Sequence, residues 1–389
     1  MLIIFAQISR CMNDNPFILE PYRSKELFCD REKESSRLIE DVENGRNVTL
    51  ISPRRLGKTG LILRTFDEIA SRKLKIKTVY VDISSASNLD DFIRLLSEAV
   101  VSVLKENSKI SKFFKSLGGI RPLISYNPVT GQPQLSITWQ SNEEKAMTLK
   151  SLLNYLEGSG TTVLVAIDEF QQIREFQDVN MEALLRTYIQ PLGNVHFIFS
   201  GSRKHVMSDM FTNAKSPFYE STIFMNLGKL DKAVYSRFIT DMFNKGGKEI
   251  EPSDIEYIIE WTEDYTFYTQ ALCNTVFMIS GDKVGRNDVN NAIVRILESN
   301  QDRFLEIRRL LTAQQWNVLT AVAREGSVSR PTATSFLKKN ALPSGASVLR
   351  AINSLVDKEM LLATTTPDGL TSYSVYNVFL SKYLKNIRL

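Results

Sequence analysis

Asn47-Val48-Thr49-Leu50-Ile51 runs directly into Ser52-Pro53-Arg54-Arg55-Leu56-Gly57-Lys58-Thr59-Gly60. The first stretch is short, apolar and β-branched, and reads as a buried strand. The second fits the phosphate-loop pattern G-x-x-x-x-G-K-[ST], with Ser52 standing where the first glycine is usual. From Gly60 to about Ser71 the apolar spacing becomes helical. Strand, loop and helix in that order form an anion cradle, because the N–H groups of the loop and of the helix start all point at the bound phosphate. Gly57 permits close backbone approach, and Lys58 supplies a point charge. The Thr59 hydroxyl suits Mg²⁺, a hard cation that prefers oxygen ligands. Ser52, Pro53, Arg54, Arg55, Leu56, Gly57, Lys58, Thr59 and Gly60 are the expected nucleotide contacts.

A second element supports the first. Leu164-Val165-Ala166-Ile167-Asp168-Glu169 is a buried strand ending in two carboxylates. Such a strand end meets the requirement for a Walker B element: Asp168 would hold Mg²⁺ through water, and Glu169 would orient the attacking water. A further apolar strand, Val195–Ser200, leads into Gly201-Ser202-Arg203. Either Ser200 or Ser202 could sense the terminal phosphate, or this is a plain loop after a core strand. Lys58, Asp168, Glu169 and Ser200 are the expected catalytic groups, with Thr59 and Asp168 as the magnesium ligands. Arg54 and Arg55 either contact phosphate or pin neighbouring acidic side chains. Arg186 and Arg203 either stabilise transition-state charge, in cis or across a subunit contact, or are solvated surface groups. His205 is expected to cap or pack, and His196 to lie in the core.

Strands at 47–51, 77–82, 163–167 and 195–200 alternate with helical stretches near 60–71, 89–105, 143–158 and 179–188. Fully apolar strands alternating with helices predict a parallel sheet covered on both faces. Gly118-Gly119, Asn127-Pro128 and Thr130-Gly131 punctuate two alternating runs, which reads as a β-hairpin insertion near 118–140. Helical periodicity takes over from about Lys229, as in Tyr235, Phe238, Ile239, Met242 and Phe243. The expected organisation is an N-terminal extension (1–25), an α/β core (26–228), a helical lid (229–310) and a third unit (311–389). Residues 1–11 read as an upstream start or an extension, with Met12 a more natural opening.

Composition narrows the chemistry. The 389 residues carry 48 Lys and Arg against 44 Asp and Glu, a net charge of +4, with 43% hydrophobic residues, which excludes disorder as the main theme. Two histidines exclude a His-rich metal centre, and three scattered cysteines, Cys11, Cys29 and Cys273, exclude a disulfide framework. They fit a reducing compartment and predict a cytoplasmic protein. No stretch nears the roughly 18 apolar residues of a spanning helix, so no membrane role is expected.

Phe28-Cys29-Asp30-Arg31-Glu32-Lys33-Glu34, the Pro-Arg-Arg-x-Gly-Lys-Thr loop and Ile167-Asp168-Glu169-Phe170-Gln171 together resemble the archaeal-type ATPase family. This family belongs to the STAND group of AAA-like P-loop ATPases and is related to origin-recognition ATPases. The run Phe199-Ser200-Gly201-Ser202, Met207 and Ser216-Pro217-Phe218-Tyr219 fits as well. The resemblance covers roughly residues 26–280. It implies a P-loop NTPase sheet with an AAA-like lid, ATP and Mg²⁺ as cofactors, and a base contact around Arg31. Relatives carry a Gly-x-Pro stretch before a Tyr-x-x-Gln run. Here Tyr265-Thr266-Phe267-Tyr268-Thr269-Gln270 has no arginine, which implies slow or partner-dependent hydrolysis.

The third unit resembles a winged helix. Thr312 opens one helix, with Val318, Leu319 and Val322 on a single face. Ser344 or Ser347 opens the next long one, and two strands flank Pro367-Asp368-Gly369. Such modules place the second helix in the DNA major groove, where Arg350 and Lys358 would lie. Others bind proteins instead. Residues 312–389 hold nine basic and four acidic side chains, a net of +5, so the remainder of the chain is near neutral. The expected function is a low-turnover, Mg²⁺-dependent ATPase switch of the AAA/STAND type. It would couple ATP or ADP occupancy to duplex DNA through 311–389, to a protein partner or to self-association. The alternative is a non-hydrolysing, nucleotide-locked scaffold or DNA-binding regulator.

Overall fold

Residues 15–104, 110, 112–114, 123–127, 133–136, 138–366 and 368–386 are described in a computed structural model. The expectation for residues 1–11, the hairpin tip at 128–132 and Pro367 lie outside the described residues. The chain divides into two units. Glu20–Lys229 is one; the other joins the described residues before Glu20 to those from Leu230 onward.

The Glu20–Lys229 unit alternates helix and strand. In order, it comprises α1 (Glu32–Glu43), β1 (Val48–Ile51), α2 (Lys58–Ser71), β2 (Ile76–Asp82), α3 (Leu89–Val103), β3 (Leu123–Tyr126) and β4 (Pro133–Ser136). Then come α4 (Asn142–Glu157), β5 (Thr162–Asp168), α5 (Met181–Ile189), β6 (Val195–Gly201), α6 (Lys204–Thr212) and β7 (Ile223–Asn226). Five strands form one parallel sheet in the order β2-β5-β6-β1-β7. Alternate residues of β5 face opposite layers. Val163, Val165 and Ile167 pack with Phe92, Leu149 and Leu185, whereas Leu164 and Ala166 pack with Leu38, Leu61 and Ile62. Both faces are therefore covered, which is why the central strand β5 reads as an unbroken apolar run. Asn88, Ser141 and Asn180 start α3, α4 and α5 by accepting from the N–H groups of Asp91, Glu144 and Ala183. β3 and β4 pair antiparallel, and Glu98 of α3 accepts from the Leu135 N–H at 2.8 Å.

The last core strand read from the sequence ends at Ser200, yet β7 adds a fifth strand beside β1. It is four residues long, and only Met225 is buried, so the usual apolar run is missing.

The second unit is mainly helical: α7 (Lys232–Lys245), α8 (Pro252–Trp261), α9 (Thr266–Ile279), α10 (Arg286–Ser299) and α11 (Gln301–Leu310). A two-residue parallel pair, β8 (Glu249–Ile250) with β9 (Lys283–Val284), interrupts what reads as an all-helical stretch. Lys248 makes the approach possible by donating to the carbonyls of Phe277 at 2.6 Å and of Ser280 at the end of α9. Phe17 is buried here, 4.8 Å from the Phe243 ring and 6.2 Å from Phe277. The chain continues as α12 (Ala313–Glu325), α13 (Thr334–Lys339), α14 (Gly345–Asp357), β10 (Leu361–Thr365), β11 (Thr371–Val375) and α15 (Val378–Asn386). Thr312 and Gln315 form a capping box on α12, and Val318, Leu319 and Val322 are fully buried. β10 and β11 make an antiparallel wing, which Val328 extends by pairing with Tyr373. α15 docks on the helical part of the same unit: Phe379 lies 5.8 Å from Trp261 and 4.7 Å from Tyr268, and Lys382 pairs with Glu263 at 2.9 Å. Among the described residues no helix is long and apolar enough to cross a membrane.

Candidate active site

All five strands of a parallel sheet end on one edge, and the crevice beyond that edge is where ligands bind in such folds. β6 lies between β1 and β5. The loop leaving β1, the carboxylates ending β5 and the serines ending β6 therefore arrive side by side. The Ser52 N–H donates to the Gly201 carbonyl at 3.3 Å and locks the first loop residue to β6. Gly57 (φ 88°) and Arg55 (φ 74°) both take left-handed conformations, as the tight loop requires. Leu56 is buried beneath the loop, while Arg54 and Arg55 are exposed.

Asp168 is the hub. It is 2% exposed and accepts from five donors. Lys58 Nζ, Ser200 Oγ (2.9 Å) and the Glu169 N–H (3.0 Å) reach Oδ1. Thr59 Oγ1 (2.6 Å) and the Tyr80 hydroxyl (3.1 Å) reach Oδ2. Burial pushes the Asp168 carboxyl pKa up, but the Lys58 charge and the hydrogen bonds from Lys58, Thr59 and Ser200 outweigh it, and the net shift is downward. Burial and the Asp168 and Asp82 charges push the Tyr80 phenol far above its ordinary range, so it remains a donor.

Glu169 sits beside this hub in a left-handed conformation, φ 56°. Its Oε1 accepts from Lys58 Nζ at 3.2 Å; its Oε2 accepts from Ser202 Oγ at 3.0 Å and from Gln171 Nε2. Arg54 Nε approaches Ser202 Oγ at 3.4 Å. The two serines are thereby separated, Ser200 on Asp168 and Ser202 on Glu169.

Thus Lys58, Thr59, Asp168, Glu169, Ser200, Ser202 and Arg54 meet in one cluster. Arg31 has another engagement: its guanidinium, in a residue 5% exposed, pairs with Glu34 at 2.8 Å and donates to the Gly228 carbonyl at 2.5 Å. The backbone before it packs on α2. A Cβ at Gly60 would stand 2.5 Å from the Pro21 carbonyl and 2.6 Å from the Phe28 ring, so glycine is needed there. Arg203 pairs with Glu175 at 2.9 Å. Arg186 is half-buried on α5, outside the cluster's hydrogen bonds. His196 is buried in β6, and His205 is exposed on α6.

Sequence reasoning missed two members. Tyr80 carries a signal only in retrospect: it stands two residues before the end of β2, whose Asp82 pairs in register with Asp168. Gln171 lies two residues beyond Glu169, in the 3₁₀ turn Phe170–Glu175.

A magnesium ion suits this donor set. The Thr59 hydroxyl and an Asp168 oxygen are already within 2.6 Å of one another, both hard ligands. Among the described residues no group of three or more His, Cys, Asp or Glu side chains could cage a metal alone.

Parallel sheet, phosphate loop and paired carboxylates define a P-loop ATPase class of protein. Residues 28–265 match the family model of an ATPase domain predominantly from Archaea, and the chain belongs to that family. Residues 302–386 match a probable winged helix domain. None of the curated proteins compared matches this chain. Among solved structures, a Walker-type ATPase of Pyrococcus abyssi is similar at 18% identity and a TM-score of 0.66, over 95% of this chain and 99% of that one. The ORC2 protein of Aeropyrum pernix, solved as ADPNP–ADP complexes, is 16% identical with a TM-score of 0.57, over 96% and 97% of the two chains. The ORC1 protein of Aeropyrum pernix in complex with DNA is 15% identical with a TM-score of 0.51, over 95% and 96%. At these identities the likeness is one of fold.

Proposed function

We propose that the chain is an ATP-binding and ATP-hydrolysing molecular switch of the AAA/STAND type. The observation that carries this reading is the convergence of Lys58 and Thr59, from the loop after β1, on Asp168, with Glu169 beside it. In the loaded site the loop N–H groups and Lys58 hold the β- and γ-phosphates. Thr59 and Asp168 hold magnesium, which supplies charge neutralisation on the phosphate oxygens. Glu169 orients a water that adds to the γ-phosphorus as the bond to the β,γ-bridging oxygen breaks, leaving ADP and phosphate. The water's proton passes through the Glu169 carboxylate to solvent or phosphate. Ser200 and Ser202 hold the two carboxylates in place.

The output side is the winged helix, and duplex DNA is the partner we propose for it. The solvent face of α14 presents Ala346, Leu349, Arg350 and Asn353. Arginine and asparagine are the side chains that pair bidentately with guanine and adenine, and small apolar groups meet the thymine methyl. A protein partner or self-association through the same unit is the outcome a failed DNA titration would leave. The lack of an arginine between Tyr265 and Gln270 favours slow hydrolysis, and in the limit a nucleotide-locked scaffold.

The test is nucleotide binding by the full chain with Lys58→Ala. Loss of binding is expected, and retained micromolar affinity would remove the assignment of the loop.

A further inference from the structure

We propose that Gln171 and Ser202 are positioning residues for Glu169. Together they saturate one oxygen of its carboxylate and leave the other to hold the attacking water. The proposal rests on the reading of the site given above.

A carboxylate oxygen offers two lone-pair positions. Oε2 of Glu169 has both filled, by Gln171 Nε2 and by Ser202 Oγ at 3.0 Å. Among the described residues Oε1 accepts only from Lys58 Nζ, at 3.2 Å. Lys58 is the group that nucleotide phosphates draw away, so Oε1 is the oxygen that substrate binding frees. The clamp on Oε2 stays, and the carboxylate is already aimed when the substrate arrives.

Three further features support a dedicated clamp. Glu169 is in the left-handed region, φ 56°, so ordinary strand geometry does not set the direction of its side chain. Gln171 is 3% exposed, and its Oε1 is buried without a hydrogen-bond partner. Turning the amide over would set a carbonyl against a carboxylate, so the donor is held on Glu169 at the cost of an orphaned oxygen. Buried orphans of this kind are rare and call for a reason. Finally, Gly201 makes the room. A Cβ there would collide with Gln171 Oε1 and with Met207 Sδ. The neighbouring Ser202 is in turn approached by Arg54 Nε at 3.4 Å, which ties the clamp to the phosphate loop.

The experiment is ATP turnover by the full chain with Mg²⁺, alongside affinity for a fluorescent ATP analogue and thermal unfolding. Gln171→Leu removes the donor and the orphaned oxygen together, so the fold is expected to hold or gain stability. Its kcat should fall about tenfold or more, with KM and analogue affinity within about twofold of wild type. Ser202→Ala should act in the same direction. In a Glu169→Gln background, Gln171→Leu should change kcat less than about twofold, because the group it positions is gone. Wild-type kcat in Gln171→Leu overturns the proposal. So does a loss shared with affinity and melting temperature, or an undiminished loss in the Glu169→Gln background. A wild-type chain that fails to bind the analogue, or binds it and releases no phosphate with or without duplex DNA, overturns the reading of the site and the proposal with it. Wild-type turnover beside an unaffected Gln171→Leu overturns the proposal alone.

Discussion

The hydroxyl of Tyr80 donates to Oδ2 of Asp168 at 3.1 Å, sharing that oxygen with Thr59. The bond joins β2 to the end of β5. Tyr80→Phe keeps the ring and deletes the donor. Urea unfolding should show a loss of about 1 kcal/mol, the usual worth of one such bond. Because Asp168 retains four other donors, affinity for ATP should change only a few-fold. A larger loss of affinity would make Tyr80 part of the binding machinery.

Lys58 carries a second consequence, for stability. Removing it leaves a buried carboxylate without its counter-ion, at an expected cost of about 3–5 kcal/mol at neutral pH. The pH dependence follows from the direction of the Asp168 shift. In the wild-type chain its pKa is held below the ordinary 3.8, so its contribution is present above that pH and fades below it. In Lys58→Ala the lysine charge and its hydrogen bond are gone and only the hydrogen bonds from groups such as Thr59 and Ser200 still oppose burial, so the pKa rises above its wild-type position. The deficit should shrink as the pH falls toward about 4. Adding Asp168→Asn should recover much of it at neutral pH.

Glu169→Gln keeps the shape of the side chain and its place between Lys58 and Ser202. ATP affinity should persist, while turnover falls by about 10²–10⁴, the range for loss of a positioned base. Phosphate release at saturating ATP measures it, and unchanged turnover would reassign the base.

Burial pushes the His196 pKa below 6.5, with the Glu157 charge opposing only in part. The folded chain thus favours neutral imidazole, and the unfolded chain protonates first as the pH falls. Stability should be full above about 6.5 and decline below it, by no more than about 1.4 kcal/mol per pH unit from this one group. His196→Phe should flatten thermal unfolding between pH 7 and 5; an unchanged slope would assign it elsewhere.

Arg350→Ala and Asn353→Ala test the α14 surface. If that face reads duplex DNA, each should weaken binding by about 1–3 kcal/mol at a preferred site, and added salt should weaken the full chain steeply. No binding at low salt would turn the search to a protein partner.

The strand–loop–helix of residues 47–71 and the strand ending at Asp168 are legible in sequence because each is local. Periodicity, a glycine at the sharp turn and carboxylates at a strand end all lie within a few residues of one another. The winged helix is legible for the same reason, from Thr312 at its first cap to Asp368-Gly369 at the wing. β7 is not, because a four-residue edge strand buries one side chain and carries almost no pattern. The committed state of Arg31 is equally hidden: its acceptor, the Gly228 carbonyl, is backbone that any residue would supply.

Local sequence alone placed a lysine, a hydroxyl and two carboxylates on a phosphate loop and at the end of a buried strand. How they are divided depends on the assembled sheet. Strand order set β6 between β1 and β5, so Ser200 falls on Asp168 while Ser202 falls on Glu169. It also brought Tyr80 and Gln171 to those carboxylates. Residue type sets what a side chain can donate or accept, but register and strand order, which are long-range and cooperative, set which acceptor it meets.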